Sequence, residues 1–194
     1  MKKLLILSAA TVLFSYATQA QTEISSIKQD EKKLTKEERM LKHERKEEKK
    51  ELRKLKGSEV SYQAKQAFIS DFGDIPVSKW ERSNNFDEAV FTKDGKLMRA
   101  FYDADAKLVG TTSHKLFTDI PVNAQKYINT KYPGYTKGTV VFFDDNEFNE
   151  TDMMMYGNQF DDADNYFVEL QKGNTKIVLR VNMVGDVSYF TELK

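Results

Sequence analysis

Cysteine is absent from this 194-residue chain, histidine occurs twice, proline three times and tryptophan once. Without cysteine there is no disulfide, no thiolate nucleophile and no lipidated cysteine at a processed N-terminus, so the fold must hold by its core alone. The two histidines, His43 in a charged stretch and His114 at the end of an expected strand, form no paired zinc-ligand motif. No serine sits in a Gly-x-Ser-x-Gly turn, and no glycine-rich phosphate loop is present. An enzyme is therefore not expected. Long apolar runs are scarce too. The stretch from Leu4 to Phe14 is too short to span a bilayer. Lys2 and Lys3 precede it and Ala17-Thr18-Gln19-Ala20 follows, the pattern of a signal peptide cleaved after Ala20. The mature chain is expected to be periplasmic or secreted, with no lipid anchor, no transmembrane span and no nucleic-acid partner.

Charge is balanced overall but segregated. Residues 28–56 hold 13 Lys/Arg against 8 Asp/Glu, a net +5; residues 57–194 hold 15 against 21, a net −6. A basic arm (21–57) thus precedes an acidic domain (58–194). Within the arm, Thr35-Lys-Glu-Glu38 has the form of a capping box, and the Glu/Lys/Arg/Leu composition predicts a helix from about Lys36 to Lys56, ending at Gly57. Apolar residues do not recur at heptad positions between Leu41 and Leu52, so the expectation is a solvated helix rather than a coiled coil.

The domain reads as one unit written twice. Ala64, Phe68 and Phe72 share a helix face over 61–72, and Ala124, Ile128 and Tyr132 do so over 121–132. Strands are predicted at 78–83, 86–93, 96–103 and 107–114 after the first helix, and at 139–143, 166–171, 176–182 and 187–192 after the second. Asp94-Gly95 and Gly173-Asn174 are two-residue hairpin signals at equivalent places. At an offset of about 79, Ala89, Phe91, Met98, Ala100 and Tyr102 align with Val168, Leu170, Ile177, Leu179 and Val181. That uniformly apolar side is assigned to the core under the helices. The fold class is α+β: two tandem helix-plus-four-stranded-meander repeats (58–116 and 117–194) making a curved antiparallel sheet with helices on one face.

The other side mixes charge with aromatics, and an antiparallel sheet can leave one face wet. Trp80, Arg99, Phe101, Arg180 and Phe190 have the residue types of interface hot spots. The second unit also carries an insertion, residues 144–165, acidic with a Met153-Met-Met-Tyr156 centre; Met154 and Tyr156 join the candidate binding residues as pliant apolar contacts. The same residues are equally readable as core, or as a face covered by that loop folded back. No cofactor or metal is expected: Asp103-Ala-Asp105-Ala-Lys107 opens like a calcium loop, but Lys107, Leu108 and His114 fall where oxygen ligands and a glycine are required. The acidic loop has carboxylates without fixed ligand spacing.

Ala64-x-x-x-Phe68, Phe91-Thr-Lys-Asp-Gly-Lys-Leu, Tyr102-Asp-Ala-Asp-Ala-Lys-Leu-Val and the stretch from Val168 to Phe190 resemble the PepSY-like proteins of Bacteroidetes-type bacteria, which are also described as similar to beta-lactamase inhibitor protein. The resemblance covers about residues 58–194. It implies a periplasmic, non-enzymatic module that binds or inhibits a protein of the cell envelope. The absence of cysteine departs from the disulfide-stapled inhibitor. The alternative reading is a structural or envelope-stress protein working through its charged helix.

Overall fold

The computed structural model describes residues 33, 35–41, 43–45, 47, 48, 51, 57 and 59–193. The chain divides into two units, 1–49 and 50–194. The expected signal peptide and its cleavage site lie outside the described residues. In the first unit every described residue is helical and exposed. Lys33 and Thr35 are already helical, so Thr35 sits inside the helix instead of capping it. The good helix formers of this stretch carry the helix past the predicted start. No helix among the described residues is long and apolar enough to cross a membrane.

The second unit begins with α1 (Tyr62–Phe72), β1 (Val77–Arg82), β2 (Asp87–Lys93), β3 (Lys96–Tyr102) and β4 (Leu108–Lys115). A 3-10 turn (Phe117–Asp119) leads into α2 (Val122–Lys131), followed by β5 (Thr136–Asp145), β6 (Met153–Met155), β7 (Asn158–Phe160), β8 (Asn165–Lys172), β9 (Thr175–Asn182) and β10 (Val187–Leu193). Eight strands form one antiparallel sheet in the order β1-β2-β3-β4-β5-β8-β9-β10, and β6 and β7 pair separately as a hairpin. The predicted strands are present, with their ends shifted by at most three residues. The hairpin inside the 144–165 insertion was not foreseen.

Local chemistry sets these elements. Ser61 caps α1 by accepting a hydrogen bond from the Ala64 N–H at 3.1 Å, and Gly73 ends it at φ +82°. Asp94 and Gly95 both have positive φ, as the β2–β3 turn requires. Both edge strands carry a bulge, β1 between Val77 and Lys79 and β10 between Tyr189 and Thr191, which discourages further strands from adding there.

Directly opposed residues of an antiparallel ladder share a face. Along the row Met98, Ser113, Phe142, Tyr166, Val181 one face runs unbroken across the sheet. Both helices pack on it. Ala64 and Phe68 of α1 meet Ala89, Phe91, Ala100 and Tyr102. Ala124 and Ile128 of α2 meet Val140, Val168, Leu170, Ile177, Leu179 and Val181. The apolar side read from alternation is therefore the helix-covered side. A buried ion pair fastens the start of the domain: Arg82 Nε donates to Asp87 Oδ1 at 2.6 Å and its Nη2 to Oδ2 at 2.8 Å, while Asp87 Oδ2 also accepts from the Ser61 N–H at 3.1 Å.

Candidate functional site

The face away from the helices is divided. Under β6 and β7 it is a third core. Phe101, Val109, Phe143, Phe167 and Val178 of the sheet pack with Phe86 and with Met153 and Phe160 of the hairpin. The rings interlock edge to face: Phe143–Phe160 at 5.2 Å, Phe160–Phe167 at 4.9 Å, Phe167–Phe190 at 4.9 Å. Such pairs add about 0.5–1.5 kcal/mol each beyond their area. Gly110 makes room for this layer. A Cβ there would lie 2.6 Å from the Phe143 ring and 2.5 Å from the Asp144 carbonyl oxygen.

Residues 146–164 thus form a flap over part of the sheet. Its tip turns through Tyr156 (φ +51°) and Gly157 (φ +79°), the backbone of a tight two-residue hairpin. Its outgoing arm is latched to the β3–β4 turn. Asn146 Nδ2 donates to the Leu108 carbonyl at 2.7 Å, and Asn149 Nδ2 donates to the same oxygen at 3.0 Å. The buried Asp103 accepts from Thr151 Oγ1 at 3.3 Å through Oδ2, while its Oδ1 takes the N–H groups of Asp105 and Lys107 at 2.9 and 3.0 Å. The Asp103-Ala-Asp105 sequence is thus a turn and a latch. At the root, the Asp145 N–H donates to Asp164 Oδ1 at 2.8 Å, and Asp145 Oδ1 and Asp162 Oδ1 are both shielded from solvent. Burial, then Asp162, then Asp164 push Asp145 up to about 7. Asp144 is also raised, by burial and by Asp164, with Lys115 opposing.

The rest of this face, on β1–β3, is open and polar. Arg99 Nη1 donates to Glu88 at 2.9 Å and to Glu81 at 3.4 Å, and Lys79 reaches Glu81 at 2.5 Å. Arg99 is 43% exposed. Leu97, two residues before Arg99 and on the same face of β3, is also exposed. Lys79 and the Arg99 guanidinium hold the Glu81 carboxyl below its ordinary value, the Lys79 hydrogen bond contributing most.

These positions sort the candidate residues. Arg99 lies on the open part. Phe101 does not: it is 7% exposed, edge-on to Phe86 at 5.9 Å, because its place on β3 falls beneath the flap. Trp80 lies on the opposite, helix-bearing face, since it stands across from Ala89 and packs against the Phe68 ring at 5.7 Å. Phe190, Met154 and Tyr156 pack against the strapped core, partly buried. The Tyr156 hydroxyl donates to Glu169 Oε1 at 3.4 Å, and burial beside that carboxylate raises it. Arg180 sits at the flap margin, 3.8 Å from Asp161. The seven residues therefore do not make one exposed patch. Sequence reading missed Phe148, 96% exposed on the flap, and the Lys79–Glu81–Arg99–Glu88 ladder, whose members become neighbours only once register is known. Among the described residues, no group of three or more His, Asp or Glu is arranged to hold a metal ion.

No family model and no curated protein sequence matches the chain. Solved structures share its fold. A BLIP-like protein from Bacteroides fragilis superposes with TM-score 0.53 at 17% identity, over 70% of this chain and 87% of that one. A DUF2874 family protein from Bacteroides uniformis gives 0.54 at 14% identity, over 66% and 86%. A Bacteroides eggerthii protein, provisionally described as periplasmic, gives 0.56 at 12% identity, over 69% and 89%. At these identities the likeness is one of fold. The architecture is an α+β domain on an eight-stranded antiparallel sheet, and its fold is similar to that of these Bacteroides proteins.

Proposed function

We propose that this protein is a non-enzymatic protein-binding module of the cell envelope, and that the open part of its non-helical face is the recognition surface. The observation that carries the reading is the split of one sheet face into a strapped core and an exposed ladder of Lys79, Glu81, Arg99 and Glu88. A face needed only for folding would be covered along its length or uniformly polar. Fold likeness to a BLIP-like protein and to one provisionally described as periplasmic supports both the binding role and the location. So does the signal-peptide pattern ending at Ala20.

The scaffold is read as a PepSY-like duplication. Residues 79 apart hold like places, Ala89 with Val168 and Ala100 with Leu179. Each helix is followed by strands of the same sheet. The flap is then what the second unit adds to the first, and it decides which part of the shared face stays open.

The test is capture from an envelope extract with the full chain as bait. Replacing Arg99 by Glu with Leu97 by Asp is expected to abolish capture while the melting temperature holds within a few degrees. Undiminished capture by the double variant would defeat the reading. The charged helix is the competing surface, because its described residues are exposed, Met40 and Leu41 among them. Loss of capture only on reversing charges within 36–51 would transfer the function there.

A further inference from the structure

We propose that the flap is a proton-operated strap, closed over the aromatic core while the Asp145 and Asp162 carboxyls share a proton, and loosened when both ionise. This inference concerns the flap itself and stands whether or not the open face binds a protein.

The geometry sets the device. Asp145 stands two residues beyond Phe143 on the strapped face, directly across from Gly110 of β4. It is where the chain leaves the sheet to become the flap, and Asp162 and Asp164 are where it returns to β8. The two ends of the flap are thus tied through carboxyls. Asp145 Oδ1 and Asp162 Oδ1 are both shielded from solvent. A proton shared between these two carboxyls would let both oxygens stay buried. Two carboxylates held there would repel across little water. The far end of the flap depends on neutral groups instead, the Asn146 and Asn149 amides on the Leu108 carbonyl. The root is therefore the part that pH can reach.

The surroundings do not neutralise the pair. Asp164 presents a further carboxylate, bonded to the Asp145 N–H, and acts on Asp144 of β5 as well. Gly110 of β4 opposes Asp145 without a charge; farther along that strand Lys115 acts on Asp144. From β9, Arg180 is directed at Asp161, and the flap's own Asp152 bonds Gln159. The Asn146 N–H favours the charged form of Asp145 but is outweighed by burial and by Asp162.

The sign follows. Asp145 has its folded value raised from 3.8 to about 7. The stability it lends the closed flap is complete below about 4 and is lost as pH rises to about 7. Opening releases a proton in that window and becomes easier by up to tenfold per pH unit.

Hydrogen exchange of the full chain at pH 5 and pH 8, corrected for the intrinsic pH dependence of exchange, tests this. Amides of 153–160 are expected to lose protection by about tenfold or more relative to those of β9. In Asp162→Asn the amide donates to Asp145 without a shared proton, so that loss is expected to vanish. Asp145→Asn repeats the test if the first variant does not fold. Equal changes in flap and β9 amides would overturn the proposal. So would variants that keep the wild-type pH dependence.

Discussion

Arg99 and Phe101 lie two residues apart on one strand, on one face of one sheet, and they live in different solvents. Phe101 is sealed beneath the flap among aromatic rings, and Arg99 stands half in water, paired with Glu81 and the more buried Glu88. Nothing in β3 itself makes this difference. It is imposed by residues 146–164, some 50 positions later in the chain. The same alternation that marks a strand's two sides says nothing of which stretch of a side another segment will cover. A mixed polar and aromatic face is thus the sum of two uniform regions, one serving the fold and the other left for contact.

The comparison can be broken from its covered side first. Phe167→Ala removes a fully buried ring that touches Phe160 and Phe190, and is expected to cost about 3–5 kcal/mol. Denaturant unfolding reads this directly. A loss below about 1 kcal/mol would mean the flap is not seated. Asp87→Ala leaves the Arg82 guanidinium buried without its bidentate partner and frees the Ser61 N–H, at an expected cost of about 3 kcal/mol in the same assay. That variant tests the helix-bearing side, so its flap exchange should follow global stability alone. Gly110→Ala pushes a methyl group against the Phe143 ring and the Asp144 carbonyl, for an expected 1–3 kcal/mol, about the scale of overpacking. Calorimetry should show its melting temperature lowered, and unchanged melting would place the flap core elsewhere. On the open side the effects shrink. Arg99→Ala loses half-exposed ion pairs and is expected to change stability by about 1 kcal/mol or less.

Much of this was legible in the chain. Period-two alternation and the Asp94-Gly95 and Gly173-Asn174 turns gave the meanders, and Ala64, Phe68, Ala124 and Ile128 gave the helix faces, because each signal is local. Even the sorting of Phe101 and Phe190 to the side away from the helices holds. The flap escaped reading for a physical reason. β6 and β7 are three residues each, and their turn is Tyr156-Gly157, not a common hairpin pair. They are stable only because Met153 and Phe160 land on Phe143 and Phe167, a tertiary fact. Trp80 was misplaced because the bulge after Val77 and the pairing across from Ala89 decide its side. The Asp145–Asp162 pair is likewise invisible among many acidic residues until the strand ends bring the two together.

The most direct test of the divided face is the side-by-side melting of Phe101→Ala and Arg99→Ala in the full chain. For a domain of this size about 1 kcal/mol corresponds to roughly 3 °C. Phe101→Ala is expected to melt lower by about 9–15 °C and Arg99→Ala by about 3 °C or less. Two small shifts of equal size would contradict the account, since they would show Phe101 to be as exposed as its neighbour.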